Sequence, residues 1–334
     1  MLGAFVEGWR RVVRAPAITA GLFVLTALVA LPFAWVVDEQ IEADLGSSLA
    51  ADRASARWDA DWAVEFSARA TGIGKTFTHE ILGFGGTLAP LSDLVEGAWP
   101  PAPVAAAVGI YLALWLFLSG GILDRIARGR PVRTQAFFAA CGTYFFRFLR
   151  LGLVVGAAYY AVFRWLRPWL FEAIYNRLTR DATTEAYGIT VRVALYAVLF
   201  VSLALINVVA DFSKVRAVVE DRRSVIATLS SAVRFIFRRP ARVAGLYLLN
   251  VLAILVLARL WLQVAPTGAT PLWLSLLTTQ VYFVARLWAK LAFMASEVVF
   301  FQGDLAHAEY TALPLHVWPD SAAVEAIRNL KKTV

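Results

Sequence analysis

Apolar positions along this chain cluster into six runs, each long enough to cross a bilayer as a helix, which takes about 20 residues. They cover Ala17–Val37, Ala102–Leu123, roughly 151–171, roughly 189–210, Val243–Leu262 and roughly 272–296. Ahead of the first, third and fifth runs the pattern changes to basic and amphipathic. Phe5, Trp9 and Val13 recur at helical spacing with Arg10, Arg11 and Arg14 between them. That spacing predicts an interfacial helix over Met1–Pro16 that lies on the membrane surface and turns into a span. Phe137, Phe138, Tyr144, Phe145 and Phe148 predict a second such helix, and the stretch Val233–Leu249 a third.

These three stretches are copies of one another. A shift of 224 positions lays Arg10 under Arg234, Arg14 under Arg238 and Pro16 under Pro240. It also lays Ala20, Gly21, Leu22 and Phe23 under Ala244, Gly245, Leu246 and Tyr247. The copy from Tyr144 is looser, with Arg147 and Arg150 in the basic slots and Gly152 in place of the proline. Acids close the even-numbered spans at Asp124, Asp211 and Glu297, spaced 87 and 86 residues apart. The expected fold is all-α and polytopic: six transmembrane helices in three repeats of an interfacial helix plus a helical hairpin. One membrane domain covers 1–334, with an enlarged acidic extracytoplasmic insertion at 38–101 and a cytoplasmic tail at 297–334. A cleaved signal peptide is the competing reading of the N-terminus. The first run is longer than a signal core of about 7–15 residues, and it matches an internal segment, so it reads as a retained span.

Charge sets the orientation. The insertion holds eleven acids against four bases, while 124–150 and 211–242 are each +5. The positive-inside rule then places both termini in the cytoplasm. Within the insertion Trp58, Trp62 and Phe66 form a stripe that predicts a helix resting on the membrane or the bundle. The net charge of +8 could suggest nucleic acid, but the bases flank apolar spans, so no nucleic-acid partner is expected. With 60% hydrophobic and 17% charged residues the chain departs from ordinary soluble domains, at about 45–50% and about 25%. One cysteine and three histidines leave no disulfide, no cysteine metal cluster and no evident cofactor site.

Catalytic motifs fail on inspection. Gly72-Ile73-Gly74-Lys75-Thr76 resembles the end of a phosphate-binding loop, but Arg69 stands where its first glycine belongs. His79-Glu80 begins a zinc-protease motif whose second histidine would be Gly83. Gln302-Gly303-Asp304 is similar to the GxGD of intramembrane aspartyl proteases, but Phe301 replaces the first glycine and no second span aspartate completes a dyad. The chain is therefore expected not to be an enzyme.

Two sets of charged residues remain. Asp124, Asp211 and Glu297 fall at predicted helix C-termini, where the helix dipole disfavours them. The structural reading pairs them with the interfacial helices: Asp124 with Arg147 or Arg150, Asp211 with Arg234 or Arg238, and Glu297 with Arg10 or Arg14 if the repeats close a ring. The second set is buried in depth. Arg286 lies mid-span, Lys290 one turn along on the same face, and Asn250 at similar depth in the fifth span. An unpaired arginine there costs at least about 2.5–3.5 kcal/mol. Either these cations snorkel to headgroups, or Arg286, Lys290 and Asn250 line a cavity for a lipid phosphate or another anionic amphiphile.

The interfacial basic-aromatic helices, the Gly120-Gly121 ending of the second span before a basic loop, and the Asp211–Arg216 exit of the fourth resemble a known group. They are similar to uncharacterised six-span bacterial inner-membrane proteins grouped with the membrane domain of glycerophosphodiester phosphodiesterases, and to YciC-like proteins. The resemblance implies a membrane module without the soluble hydrolase domain, and it assigns no functional residue. The leading expectation is a non-enzymatic integral membrane module that binds or handles anionic lipids. The alternatives are a transporter or exporter subunit, and a scaffold for a membrane-protein partner or a homo-oligomer.

Overall fold

The computed structural model describes residues 1–46, 48–56, 59–77, 102–180, 184–266 and 270–307. Trp58, His79, Glu80, Trp99–Pro101 and the tail beyond 307 lie outside these. Among the described residues every regular element is helical. In chain order they are α1 (Leu2–Val13), α2 (Pro16–Leu45), α3 (Ala50–Ala56), α4 (Ala60–Arg69) and one 3-10 turn (Gly72–Thr76). Then come α5 (Ala102–Arg128), α6 (Thr134–Thr179), α7 (Glu185–Val219), α8 (Val225–Arg238), α9 (Pro240–Val264) and α10 (Leu272–His307). Five of these, α2, α5, α6, α7 and α9, are long and apolar enough to cross a membrane. Their outward faces are apolar, with Trp35 77%, Leu262 67% and Leu248 59% exposed, a surface that fits lipid better than water.

Prolines decide where a basic amphipathic helix separates from the long apolar helix that follows it. Proline lacks an N–H, and its ring pushes the preceding residue out of the helical region. Ala15, before Pro16, has φ −128° and ψ 53°; Arg239, before Pro240, has φ −141° and ψ 48°. The chain thus breaks in the same way between α1 and α2 and between α8 and α9. The middle copy has Gly152 instead, and α6 runs unbroken for 46 residues. The interfacial helix and the third span expected there are one rod. Further along α6, Pro168 is flanked by π-helical turns at Val162–Leu166 and Trp169–Ile174. A widened turn is how a helix absorbs a lost hydrogen bond and a ring clash.

Several helices outrun their predicted ends. α7 continues eight residues past Asp211 and α10 ten past Glu297. These two acids therefore sit inside helices, and the unfavourable C-terminal dipole argument does not apply to them. Glu297 is also part of α10 rather than the start of a tail. α2 likewise continues to Leu45, beyond Asp38. There Ile41 and Leu45 meet Trp62 and Phe66 of α4 in a small separate core, so these two members of the aromatic stripe rest on α2. Trp62 Nε1 donates to Asp44 at 2.9 Å, and Arg69 pairs with the same carboxylate at 3.0 Å.

The main core lies at the basic end of the bundle, around α10, which touches α1, α2, α5, α7 and α9. Close approach of helices depends on small residues there. A Cβ on Gly8 of α1 would stand 2.5 Å from the Ser296 backbone nitrogen of α10. A Cβ on Gly121 of α5 would meet Cys141 Sγ at 2.5 Å and the Phe137 carbonyl at 2.9 Å on α6. Thr228 and Ala232 are buried where α8 lies along α7. Each basic amphipathic segment thus packs on a long helix: α1 on α10, the first half of α6 on α5, and α8 on α7. Arg11 Nη1 strengthens the first contact by donating to Gln302 Oε1 at 2.9 Å and to the Ile126 carbonyl at 3.0 Å. Gln302 Nε2 in turn donates to the Ala127 carbonyl, so α1 and α10 together satisfy the orphan carbonyls at the end of α5.

Candidate functional site

One face of α10 carries Arg286, Lys290, Phe293 or Met294, and Glu297 at steps of three and four, which stacks them along a single stripe. That stripe forms one wall of a cavity of about 540 Å³. The other walls are α5 (Leu112, Trp115, Ser119), α7 (Asn207, Asp211, Lys214) and α9 (Ile254, Leu257). From Arg286 to Glu297 the wall extends about 16 Å at 1.5 Å per residue. The volume falls within the range of about 300–1,000 Å³ usual for small-molecule sites.

The two ends differ in chemistry. At the apolar end the cations rest on aromatic faces. Lys290 Nζ is 3.4 Å from the centroid of Trp115 and 5.6 Å from that of Tyr111. The Arg286 guanidinium lies 5.7 Å over Tyr282, which stacks on Trp261 of α9 at 4.2 Å. Such a cation–π contact is worth about 0.5–2 kcal/mol. At the basic end of the bundle, Lys214 pairs with Asp211 at 2.7 Å. The Tyr247 hydroxyl stands between the two carboxylates: it donates to Glu297 and lies 3.4 Å from Asp211 Oδ2. The cavity is therefore dipolar, with Arg286 and Lys290 at one end and a Lys214–Asp211–Tyr247–Glu297 chain at the other.

The expected partnerships are redrawn. Asn250 does not line the cavity; its Nδ2 donates to the Leu246 carbonyl and to Ser296 Oγ, both at 2.9 Å, and it bolts α9 to α10. Asp124 pairs with Arg128 one turn along its own helix at 2.8 Å, not with Arg147 or Arg150. Arg147 reaches Asp221 at 2.6 Å, in the turn between α7 and α8, where Asp221 has φ 46°. Arg150 donates to the Phe146 carbonyl of its own helix. Asp211 takes Lys214 and Tyr247 in place of Arg234 or Arg238, and those two arginines line a different pocket. Glu297 takes Tyr247 rather than Arg10 or Arg14, although α1 does lie against α10. In every case a neighbour within one helical turn, or a phenol already in place, displaces a cation that must reach across the bundle.

Sequence reading missed Lys214, Tyr247, Asn207 and Trp115. Lys214 carried a signal, standing three residues from Asp211, where helical neighbours meet. Tyr247 is the only polar member of the aligned Ala-Gly-Leu-aromatic pair, opposite Phe23. Two of the failed motifs have structural work instead, while His79-Glu80 lies outside the described residues. Gly72–Thr76 is a 3-10 turn docked near Gln40, whose Oε1 accepts from the Thr71 N–H. Asp304 pairs with Arg239 at 3.2 Å. Among the described residues no group of three His, Cys, Asp or Glu side chains could hold a metal ion.

Removing the Tyr247 hydroxyl tests the carboxylate bridge. Tyr247→Phe leaves Glu297, 2% exposed, without its donor, and an unsatisfied buried acceptor costs about 1–3 kcal/mol. A lower unfolding temperature in detergent is expected, and Glu297→Gln/Tyr247→Phe is expected to recover part of it. An unchanged melt for the single variant would mean that water already serves Glu297.

Five long apolar helices, three of which line a partly charged cavity, are those of a helical membrane protein. No family model matches the chain, and neither do curated proteins or solved structures.

Proposed function

We propose that this protein is a non-enzymatic six-span module of a bacterial inner membrane that holds an anionic amphiphile in the cavity between α5, α7, α9 and α10. The observation that carries the reading is the placement of Arg286 and Lys290 on aromatic faces inside a cavity whose remaining walls there are apolar. An anionic headgroup would meet both cations, while its chains would lie along Leu112, Ile254 and Leu257. α10 is the sixth span in this reading, with 36 residues and a single cation, Arg286, in its first eighteen. Three repeats of an interfacial helix and a hairpin are supported by the matched breaks at Ala15 and Arg239. They are supported too by the way each basic segment lies on the second helix of the preceding hairpin, with α1 returning to α10. The basic segments share one end of the bundle, which favours cytoplasmic termini under the positive-inside rule. Placement in a bacterial inner membrane rests on the resemblance in span and charge pattern.

A transporter subunit is the second reading. It draws support from the same cavity, which reaches Arg286 and carries Asp211 and Glu297 at its far end; buried acids on a solute path are a recurrent feature of such proteins.

Native mass spectrometry of the detergent-purified protein, wild type beside Arg286→Ala and Lys290→Ala, tests the proposal. A co-purifying anionic lipid is expected in the wild type. Each charge-assisted contact is worth about 1.5–3 kcal/mol, so a roughly tenfold or larger loss is expected in each variant. Equal lipid retention in all three would make the cavity cations structural and leave the scaffold reading ahead.

A further inference from the structure

A second, separate pocket opens at the basic end of the bundle, between α7, α8 and the last turns of α10. It encloses about 250 Å³ and is lined by Arg216, Arg234, Arg238, Arg239, Ser231 and Asp304, among others. Four guanidinium groups thus surround one carboxylate. Two of the four are committed. Arg216 pairs with Glu220 at 2.9 Å and lies over the Phe301 ring. Arg239 pairs with Asp304 at 3.2 Å and lies over Phe235. Arg234 and Arg238 are one helical turn apart on α8, both exposed, and among the described residues no carboxylate lies within 4.0 Å of either. With Asp304 in its wall and Glu220 beside it set against the four guanidinium groups, the pocket keeps at least two positive charges.

Those two charges lie on a fixed platform. Asp304 holds Arg239 at the break between α8 and α9, and Phe235 packs against Phe212, Phe300 and Phe301. Forked guanidinium donors suit the tetrahedral oxygens of a phosphate, and two surplus cations balance a dianion. A hydroxyl donor, Ser231, completes the wall. We propose that this pocket is a phosphate-binding site, with Arg234 and Arg238 as its principal ligands and a phosphomonoester as the preferred group. A phosphomonoester reaches it either as the headgroup of a membrane lipid or on a soluble molecule. The proposal is independent of the cavity around Arg286, which is lined by none of these residues.

The test uses the full chain and two probes. Phosphatidic acid is incorporated into phosphatidylcholine nanodiscs and its retention is read by native mass spectrometry. Inorganic phosphate is titrated into detergent-solubilised protein by calorimetry, with sodium chloride as the control. Arg234→Ala/Arg238→Ala is compared with Arg130→Ala/Arg133→Ala, which removes the same charge from an exposed loop, both made in an Arg286→Ala background that removes the other cavity's hold on an anionic lipid. Binding is expected to fall about thirtyfold in the pocket pair, the loss due to two interfacial cations, and to stay within about threefold in the loop pair. Retention of phosphatidic acid without phosphate binding assigns the site to a lipid headgroup, and phosphate binding assigns it to a soluble ligand. The proposal is overturned if the wild type shows no preference for either probe, or if the loop pair loses as much binding as the pocket pair.

Discussion

Gly8→Leu is expected to melt this protein at a markedly lower temperature, whereas Gly3→Leu on the same helix leaves the melt unchanged. Space around Gly3 is open, but a Cβ on Gly8 would stand 2.5 Å from the Ser296 nitrogen and 2.6 Å from its Cα. Both obstructing atoms are backbone of α10, and Ala295 and Ser296 are fully buried, so no side chain can swing aside. Extra methylenes forced into a packed core cost about 1–3 kcal/mol, and more where the backbone must move. Here relief means lifting α1 off α10. That separation would pull Trp9 from Trp288, now edge to face at 4.5 Å, and Arg11 from Gln302. Cys141 supplies the readout, being the sole cysteine and fully buried. A thiol-reactive fluorophore labels it only as the core opens. Equal melts for Gly8→Leu and Gly3→Leu would mean that α1 does not dock on α10 as described.

The same contact explains what could be read from the residues and what could not. Five apolar helices long enough to cross a membrane, and separate basic amphipathic helices ahead of two of them, were legible because each depends on a local property: an apolar run, an arginine-aromatic alternation, a proline. Pro16 and Pro240 break the chain, and Gly152 does not. Helix ends were less legible. Asp211 and Glu297 looked like span ends because charge leaves the apolar core of a membrane, yet backbone hydrogen bonding continues through them. The extension of α7 provides surface on which α8 packs, and α1 lies along α10 from Trp288 to Gln302. Partnerships were least legible of all. Asn250 and Arg286 were expected at one depth, but Asn250 meets Ser296, ten residues and about 15 Å along α10 from Arg286. Asn250 turns to Ser296 and Arg286 to Tyr282. The α10 stripe was half visible in Arg286 and Lys290, but the opposing wall from Trp115 to Lys214 needed helix rotations that spacing within a single segment does not contain.

Lys214→Met is expected to cost about 3 kcal/mol of stability, and Lys214→Met/Asp211→Asn to restore most of it. Removing one partner of a buried ion pair costs about 3–5 kcal/mol, because the other charge is left without compensation. The Lys214 and Asp211 side chains retain 29% and 19% exposure, which places the expected cost at the lower end of that range. Glu297 raises it again. Its carboxylate is held beside Asp211 through Tyr247, so without Lys214 two carboxylates would share one phenol. Neutralising Asp211 in the double variant removes that repulsion and leaves Tyr247 bonded to Glu297. The comparison separates two roles for the acid pair. If Lys214→Met melts low and the double variant recovers, Lys214 is the counter-ion that lets two acids line the cavity. If neither variant changes the melt, water in the cavity already compensates the acids. The Asp211–Glu297 end would then be open to a cationic group on whatever Arg286 and Lys290 hold.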